Sequence, residues 1–187
     1  LKNSIENFLQ YEKTGEDHYN IISAVHKSLR DSDPTASVYW VTRMLQAGDD
    51  PLYIARRLLR FASEDIGNAD FNAVILANSV FDSCNKLGRP ECDIFLVQLA
   101  QYLANAPKSN AAYTALAQAQ SDVAEFGSLP VPLAIRNGVT NLMKELGYGK
   151  DYKYAHDFKD AKVIQEHLPD ELKNRDYFKQ VEKTEDI

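Results

Sequence analysis

The chain has 187 residues, 44% hydrophobic and 26% charged, with a net charge of −6, an ordinary globular balance that suits one domain with a sizeable core. The negative charge argues against general nucleic-acid binding by the whole surface and leaves open only a local basic patch. Two cysteines, Cys84 and Cys92, form neither a disulfide framework nor a C-x-x-C pair and fit a reducing cytosol, and the longest apolar run, Ile94 to Ala104, is too short to span a bilayer.

No signal peptide opens the chain, and it begins without a methionine, which suggests a piece of a longer protein. Ser4 to Lys13 predicts a short helix closed by Gly15. Asp17 to Arg30 sets His18, Ile22, Val25 and Leu29 on one stripe, the spacing of a packed helix. A cap followed by Pro34 opens a third helix that ends at Gly48, and the same grammar repeats from Asp50 to Gly67. Asp70 to Gly88 gives the next helix, and Arg89 to Pro107 follows with its own proline start. Both are apolar on more than one face between Ala73 and Ala104, which predicts a central position. Ser109 to Gly127 makes a seventh helix, and Pro132 to Gly147 a shorter, glycine-interrupted eighth.

Beyond Gly147 the chain turns rich in tyrosine and charge and loses any long apolar stripe. This predicts an ordered C-terminal tail wrapping the helices, with one short helix near Lys162 to His167. With no strand alternation anywhere, the fold class is all-α: a compact multi-helix domain of antiparallel neighbours joined by short loops.

Lys108-Ser109 is the pair that ends a phosphate-binding loop. Leu103 to Pro107, however, contain no glycine to let backbone N–H groups wrap a phosphate, and Pro107 has no N–H at all. The stretch reads as a connector in which Pro107 stops one helix and Ser109 or Asn110 caps the next. His18 and His26 lie eight apart on one helix without a further ligand nearby, which is no zinc motif. His26 flanks the apolar stripe and is expected to make one structural hydrogen bond. His156-Asp157 lacks a nucleophile elbow and reads as tail packing. No catalytic, metal-binding or cofactor-binding residue is assigned.

The helix from Asp50 to Gly67 is more informative. On a helical wheel Leu52, Ala55, Leu59, Ala62 and Ile66 form the buried side, and Arg56, Arg57 and Arg60 cluster opposite, with Glu64 one turn beyond Arg60. The arginines make either a solvated face with an i,i+4 ion pair or a surface for an acidic partner or a nucleic-acid backbone. Arg89, Arg136, Lys144, Lys150 and Lys153 are scattered, and only folding could gather them. Asp65 falls beside Leu58 and Phe61 in the last turn, where the helix dipole disfavours a carboxylate. An arginine from another helix, or free N–H groups near Asp70, would compensate it and make Asp65 a structural clasp between consecutive helices. The aromatics from Tyr39 to Tyr113, at helical spacing, read as core or subunit interface.

Several long runs now resemble one family. "HYNIISAVHKSLRDSDPTASVYWVTRMLQAGDDPLYIARRLLRFASEDIGNAD", "YLANAPKSNAAY", "NLMKELGYGKDYKYAHDF" and "QEHLPDEL" are similar to the C-terminal region of the MgsA/RarA family of AAA+ ATPases, which maintain replication forks and are related to clamp-loader subunits and the Werner helicase-interacting protein. The likeness spans Glu16 to about Phe178. It implies that residues 1–14 end a preceding ATPase lid domain and that 15–187 form a helical, clamp-loader-collar-like oligomerisation domain building a homotetramer. The ATP-binding module would lie upstream, so the chain alone carries no catalysis, and ATP and Mg belong to the longer protein, a DNA-dependent ATPase. Replication or repair proteins and DNA would be met through that parent, in the cytoplasm at the nucleoid, with no membrane. The family's PKSN element matches Pro107 to Asn110, whereas Gly138-Val139 stand where the family more usually has Ala-Pro.

Two rivals remain on the sequence: a free-standing helical adaptor for a peptide or protein partner, marked by an exposed apolar groove, and a helical enzyme, marked by a polar pocket with perturbed carboxylates.

Overall fold

The computed structural model describes residues 15–178, side chains from His18 onward, and no strand occurs among them. The helix expected over Ser4 to Lys13 lies outside the described residues. Contacts divide the chain into two units, one up to Thr114 and one from Ala115; the division falls inside the stretch assigned above to a single domain.

Among the described residues the first unit holds five α-helices and the start of a sixth. Helix α1 (Gly15–Arg30) buries Ile21, Ile22, Val25 and Leu29. Helix α2 (Pro34–Gln46) is started by Asp33, whose Oδ1 accepts from Ala36 N at 2.9 Å, with Pro34 in the first turn, where its missing N–H costs nothing. It buries Val41, Met44 and Leu45 against α1 and α5. Helix α3 (Pro51–Phe61) repeats this start, the Asp50 carboxylate accepting from Leu52 N at 2.9 Å.

After Phe61 the helix widens into a π-turn over Ala62–Ile66, closed by the Gly67 N–H on the Ala62 carbonyl. Gly67 sits at φ +51°, and a Cβ there would lie 3.1 Å from the Ser109 carbonyl oxygen. Both facts require glycine.

Helix α4 (Asn72–Leu87) buries Ala73, Ala77, Val80 and Cys84, a single i, i+4, i+7, i+11 stripe of mostly small residues. Helix α5 (Asp93–Asn105) buries Leu96, Leu99, Ala100, Leu103 and Ala104 and packs against α1, α2, α3 and α4. The expected central position therefore belongs to α5. Helix α4 is one-sided, and Phe71 and Ile75 beside its stripe are exposed. Helix α5 also starts later than its proline suggested, because Arg89-Pro90 form a turn and Asp93 begins the helix. Tyr102 of α5 donates to Asp70 Oδ2 at 2.5 Å, while Asp70 Oδ1 accepts from Asn72 N, so one carboxylate starts α4 and pins it to α5. Most of the helical aromatics fall on this core: Phe61 is buried, and Trp40, Tyr53, Phe81, Phe95 and Tyr102 pack against it, whereas Tyr39, Phe71 and Tyr113 are exposed.

Helix α6 (Ala111–Phe126) begins in the first unit and continues into the second. There the expected eighth helix is two separate pieces. A 3-10 turn at Leu133–Ile135 is followed, after the Gly138 loop, by α7 (Asn141–Glu145), which Thr140 caps by accepting from Met143 N. A Cβ at position 138 would lie 2.9 Å from the Tyr148 carbonyl oxygen, so this loop closes only with glycine. The tail carries 3-10 turns at Ala155–Asp157, Lys159–Ala161 and Asp170–Leu172. Residues 162–167 form no helix, and the Gln165 side chain pairs with both backbone groups of Lys153 at 3.1 Å.

Candidate partner surface and the carboxylate anchors

Helix α3 turns its core side toward Leu58. Ile54, Ala55, Leu58, Phe61, Ala62 and Ile66 are buried, while Leu52 and Leu59, expected on the buried side, are only half-buried. The helix packs against both α4 and α5, which broadens the buried arc, and Leu52 and Leu59 pack against the core at its edge.

The broad arc splits the three arginines. Arg56 is exposed and lies 3.7 Å from Asp50, and Arg60 is exposed and donates to Glu64 at 2.7 Å. Arg57 is half-buried, with an Nε that meets no acceptor. The cluster drawn on the wheel is thus two outward arginines, each beside its own carboxylate, and a third turned to the flank where His26 lies.

Around His26 the chemistry is unusual for a helix surface. Its ring packs 5.8 Å from Phe61, and its Nε2 is buried without the hydrogen bond expected for it. Burial, and then the charges of Arg57 and Arg30, lower its pKa to about 4, so the imidazole is neutral at physiological pH.

Asp65 meets an arginine from another helix. Arg30, at the C-terminus of α1 where a cation suits the helix dipole, donates from Nε to Oδ1 at 2.6 Å and from Nη2 to Oδ2 at 3.1 Å. The Asp65 side chain is 12% exposed and that of Arg30 48%. The two helices joined are α1 and the extension of α3, not consecutive ones. The Asp65 carbonyl also accepts from Ser109 N at 2.8 Å.

Lys108 uses its amine on the protein itself. It donates to the carbonyls of Ala104 and Ala106 at 2.9 and 2.6 Å and to Ser32 Oγ at 3.2 Å, closing the open end of α5 and tying it to the α1–α2 turn. Burial lowers its pKa. Ser109 Oγ accepts from Ala111 N at the start of α6. His18 lies 3.0 Å from Asp49 through Nδ1 and packs on Tyr53. Cys84 and Cys92 are buried thiols, Cys84 pushed up to about 12 chiefly by burial, which leaves no reactive thiolate. Among the described residues no three His, Cys, Asp or Glu side chains are grouped to hold a metal ion.

One anchor escaped the sequence reading. In the second unit Asp122 of α6 is 4% exposed and receives Arg175 Nη2 at 2.7 Å and the Tyr177 hydroxyl at 2.9 Å, so the tail is latched to the helix by a buried carboxylate. Its only sequence signal is a lone acid in the alanine-rich run "AAYTALAQAQSD", with an Arg-x-Tyr pair more than fifty residues away.

Comparison with known proteins places this geometry. Residues 31–186 match the family described as MgsA AAA+ ATPase C terminal. The chain is 49% identical over 174 residues to replication-associated recombination protein A of Coxiella burnetii, covering 92% of this chain and 40% of that protein. It is 46% identical over 171 residues to ATPase WRNIP1 of Dictyostelium discoideum, covering 91% of this chain and 20% of that protein. Against replication-associated recombination protein A of Escherichia coli K12 the identity is 44% over 174 residues, with 92% and 39% covered. The chain thus spans two-fifths or less of the length of these relatives. No helix among the described residues is long and apolar enough to cross a membrane.

Proposed function

The chain belongs to the MgsA AAA+ ATPase C-terminal family, and on that premise we propose that it is the assembly module of a longer ATPase, joining copies of itself into a homotetramer. The observation that carries this reading is the thin burial of the second unit. From Ala115 to Phe178 only Ala115, Asp122 and Leu172 are buried, while Val123 (69% exposed), Val139 (80%), Leu142 (64%) and Ile164 (95%) stand in water. Surface of this kind contributes no burial energy until another chain covers it. The resemblance to the MgsA/RarA family supplies the number four.

In this reading ATP and Mg are bound upstream and activate a DNA-dependent ATPase working at stalled replication forks, in the cytoplasm at the nucleoid. DNA and replication or repair proteins are met by the assembled parent, and the exposed Arg56 and Arg60 offer it a secondary contact surface, with Arg57 behind them. Light scattering from the purified chain tests the proposal. A mass four times that of the chain, reduced by Val123→Asp or Leu142→Asp, is the expected result, and an interface holding it should bury upwards of roughly 2,000 Å². A monomer at micromolar concentration would overturn it in favour of a free-standing adaptor.

A further inference from the structure

The loop between the 3-10 turn at Leu133–Ile135 and α7 carries the chain's one Asn-Gly pair, Asn137-Gly138. Asn137 is exposed. Among the described residues neither its side-chain amide nor the Gly138 N–H has a hydrogen-bond partner. The loop is nevertheless tied down on both sides of the pair. Arg136 Nε donates to the Val131 carbonyl at 2.5 Å, the Gly149 N–H donates to the Leu133 carbonyl at 2.9 Å, and Thr140 caps α7. Gly138 itself packs so closely on Tyr148 that a Cβ would lie 2.9 Å from the carbonyl oxygen, so the residue after Asn137 has to be glycine.

An asparagine followed by glycine holds an electrophile and a nucleophile in adjacent residues. The Gly138 nitrogen, once its proton is lost to solvent base, can attack Asn137 Cγ, a ring closure that needs no second molecule to be brought up. Glycine has no side chain to shield that nitrogen, and here no acceptor holds its proton. Asn78-Ser79, by contrast, lies inside α4, where the helical ladder engages the following amide. Asn137 also shares a cleft with Arg136 and His167 that no Asp or Glu lines, so a carboxylate formed there meets a cation and no other acid.

We propose that Asn137-Gly138 is a site of spontaneous covalent modification, at which the chain loses an amide and gains a carboxylate beside Arg136. The bond from the Gly138 nitrogen to Asn137 Cγ forms and the Cγ–Nδ2 bond breaks. Ammonia leaves, taking up by way of solvent the proton that Gly138 gave up, and a cyclic imide remains. Water then opens the imide, with no oxidant or reductant involved. Opening at Cγ leaves aspartate on an ordinary backbone. Opening at the main-chain carbonyl leaves isoaspartate, whose backbone runs through Cβ and is one atom longer. The aspartyl form fits the loop as it stands. The isoaspartyl form adds an atom next to Gly138, where the Tyr148 carbonyl and Lys144 Cγ leave no room even for a Cβ, so it forces the loop off Tyr148. The chain in that form becomes a substrate for a methyl-transferring isoaspartate repair enzyme. The proposal does not depend on the assembly reading.

The test ages the full 187-residue chain at mildly alkaline pH. Peptide mass mapping follows the amide, and methyl transfer from S-adenosylmethionine by an isoaspartyl methyltransferase follows the longer backbone. Ammonia loss at Asn137 should run ahead of that at every other asparagine among the described residues and should quicken as pH rises. Asn137→Gln, whose longer side chain closes its ring far more slowly, should lose the methyl acceptance of this loop. Ion exchange separates the aged forms for amide NMR. Asn137→Asp should match the parent at Leu133, Tyr148 and Gly149, whereas the isoaspartyl form should shift all three. An intact amide at Asn137 in the folded chain, while a urea-unfolded sample loses it, would overturn the proposal, because the fold would then protect the pair. Methyl acceptance equal in the parent and in Asn137→Gln would overturn it as well.

Discussion

Arg30 and Asp65, thirty-five residues apart, meet through two parallel N–H···O bonds, so the end of α1 is tied to the turn that closes α3. A fully buried pair broken on one side costs about 3–5 kcal/mol, but Arg30 is half in water and solvent screens much of that. Asp65→Ala should therefore destabilise the chain by about 1–2 kcal/mol, and adding Arg30→Ala should cost little more. Glu64→Ala, which breaks an exposed i,i+4 pair, should cost less than about 0.5 kcal/mol. Urea melts of the four proteins measure this, and equal small losses at Asp65 and Glu64 would remove the clasp.

His26 supplies a pH dependence with a definite sign. Its folded pKa of about 4 lies below the ordinary 6.5. Between these values the unfolded chain takes up a proton that the folded chain refuses, so stability falls as pH drops from 6.5 toward 4 and is fully present above 6.5. Thermal melts from pH 7.5 to 4.5 should show that decline, and His26→Leu should flatten it. A slope unchanged by the substitution would assign the acid sensitivity to other groups.

Lys108→Met removes three hydrogen bonds at once and leaves the α5 carbonyls to find water. A loss of about 1–3 kcal/mol is expected, with little rescue by Lys108→Arg, whose planar fork cannot serve three converging oxygens. Calorimetric titration with ATP should be flat for both parent and variant. Micromolar ATP binding that Lys108→Met abolished would restore the phosphate-loop reading of this lysine.

The latch on α6 predicts a local effect. Asp122→Ala releases Arg175 and Tyr177 together, so limited proteolysis should cut the tail beyond Pro169 markedly faster. The Asp122→Asn variant, which keeps the shape and loses the charge, should fall between. Cleavage at the parent rate in both would show that the tail is held by other means.

Caps and stripes were the legible features. Asp33-Pro34 and Asp50-Pro51 mark helix starts because their physics is local, and Ile22, Val25 and Leu29 are buried as their spacing predicts. The compensating arginine that Asp65 demanded could be foreseen as a type and not as Arg30, since the partner is set by how α1 crosses α3. Arg57 was misplaced because a wheel knows one helix, whereas the buried arc of α3 answers to its neighbours α4 and α5 together. Asp122 was invisible for a related reason: nothing near it in sequence hints at Arg175.

The π-turn at Ala62–Ile66 gives α3 one residue more than an α-helical ladder would use. That surplus makes the end of the helix a gauge of its own length. Deleting the exposed Ser63 would let the ladder close as ordinary α-helix, yet it would swing the next carboxylate by roughly a quarter-turn. The helix would survive, and Arg30 would face the wrong side of it.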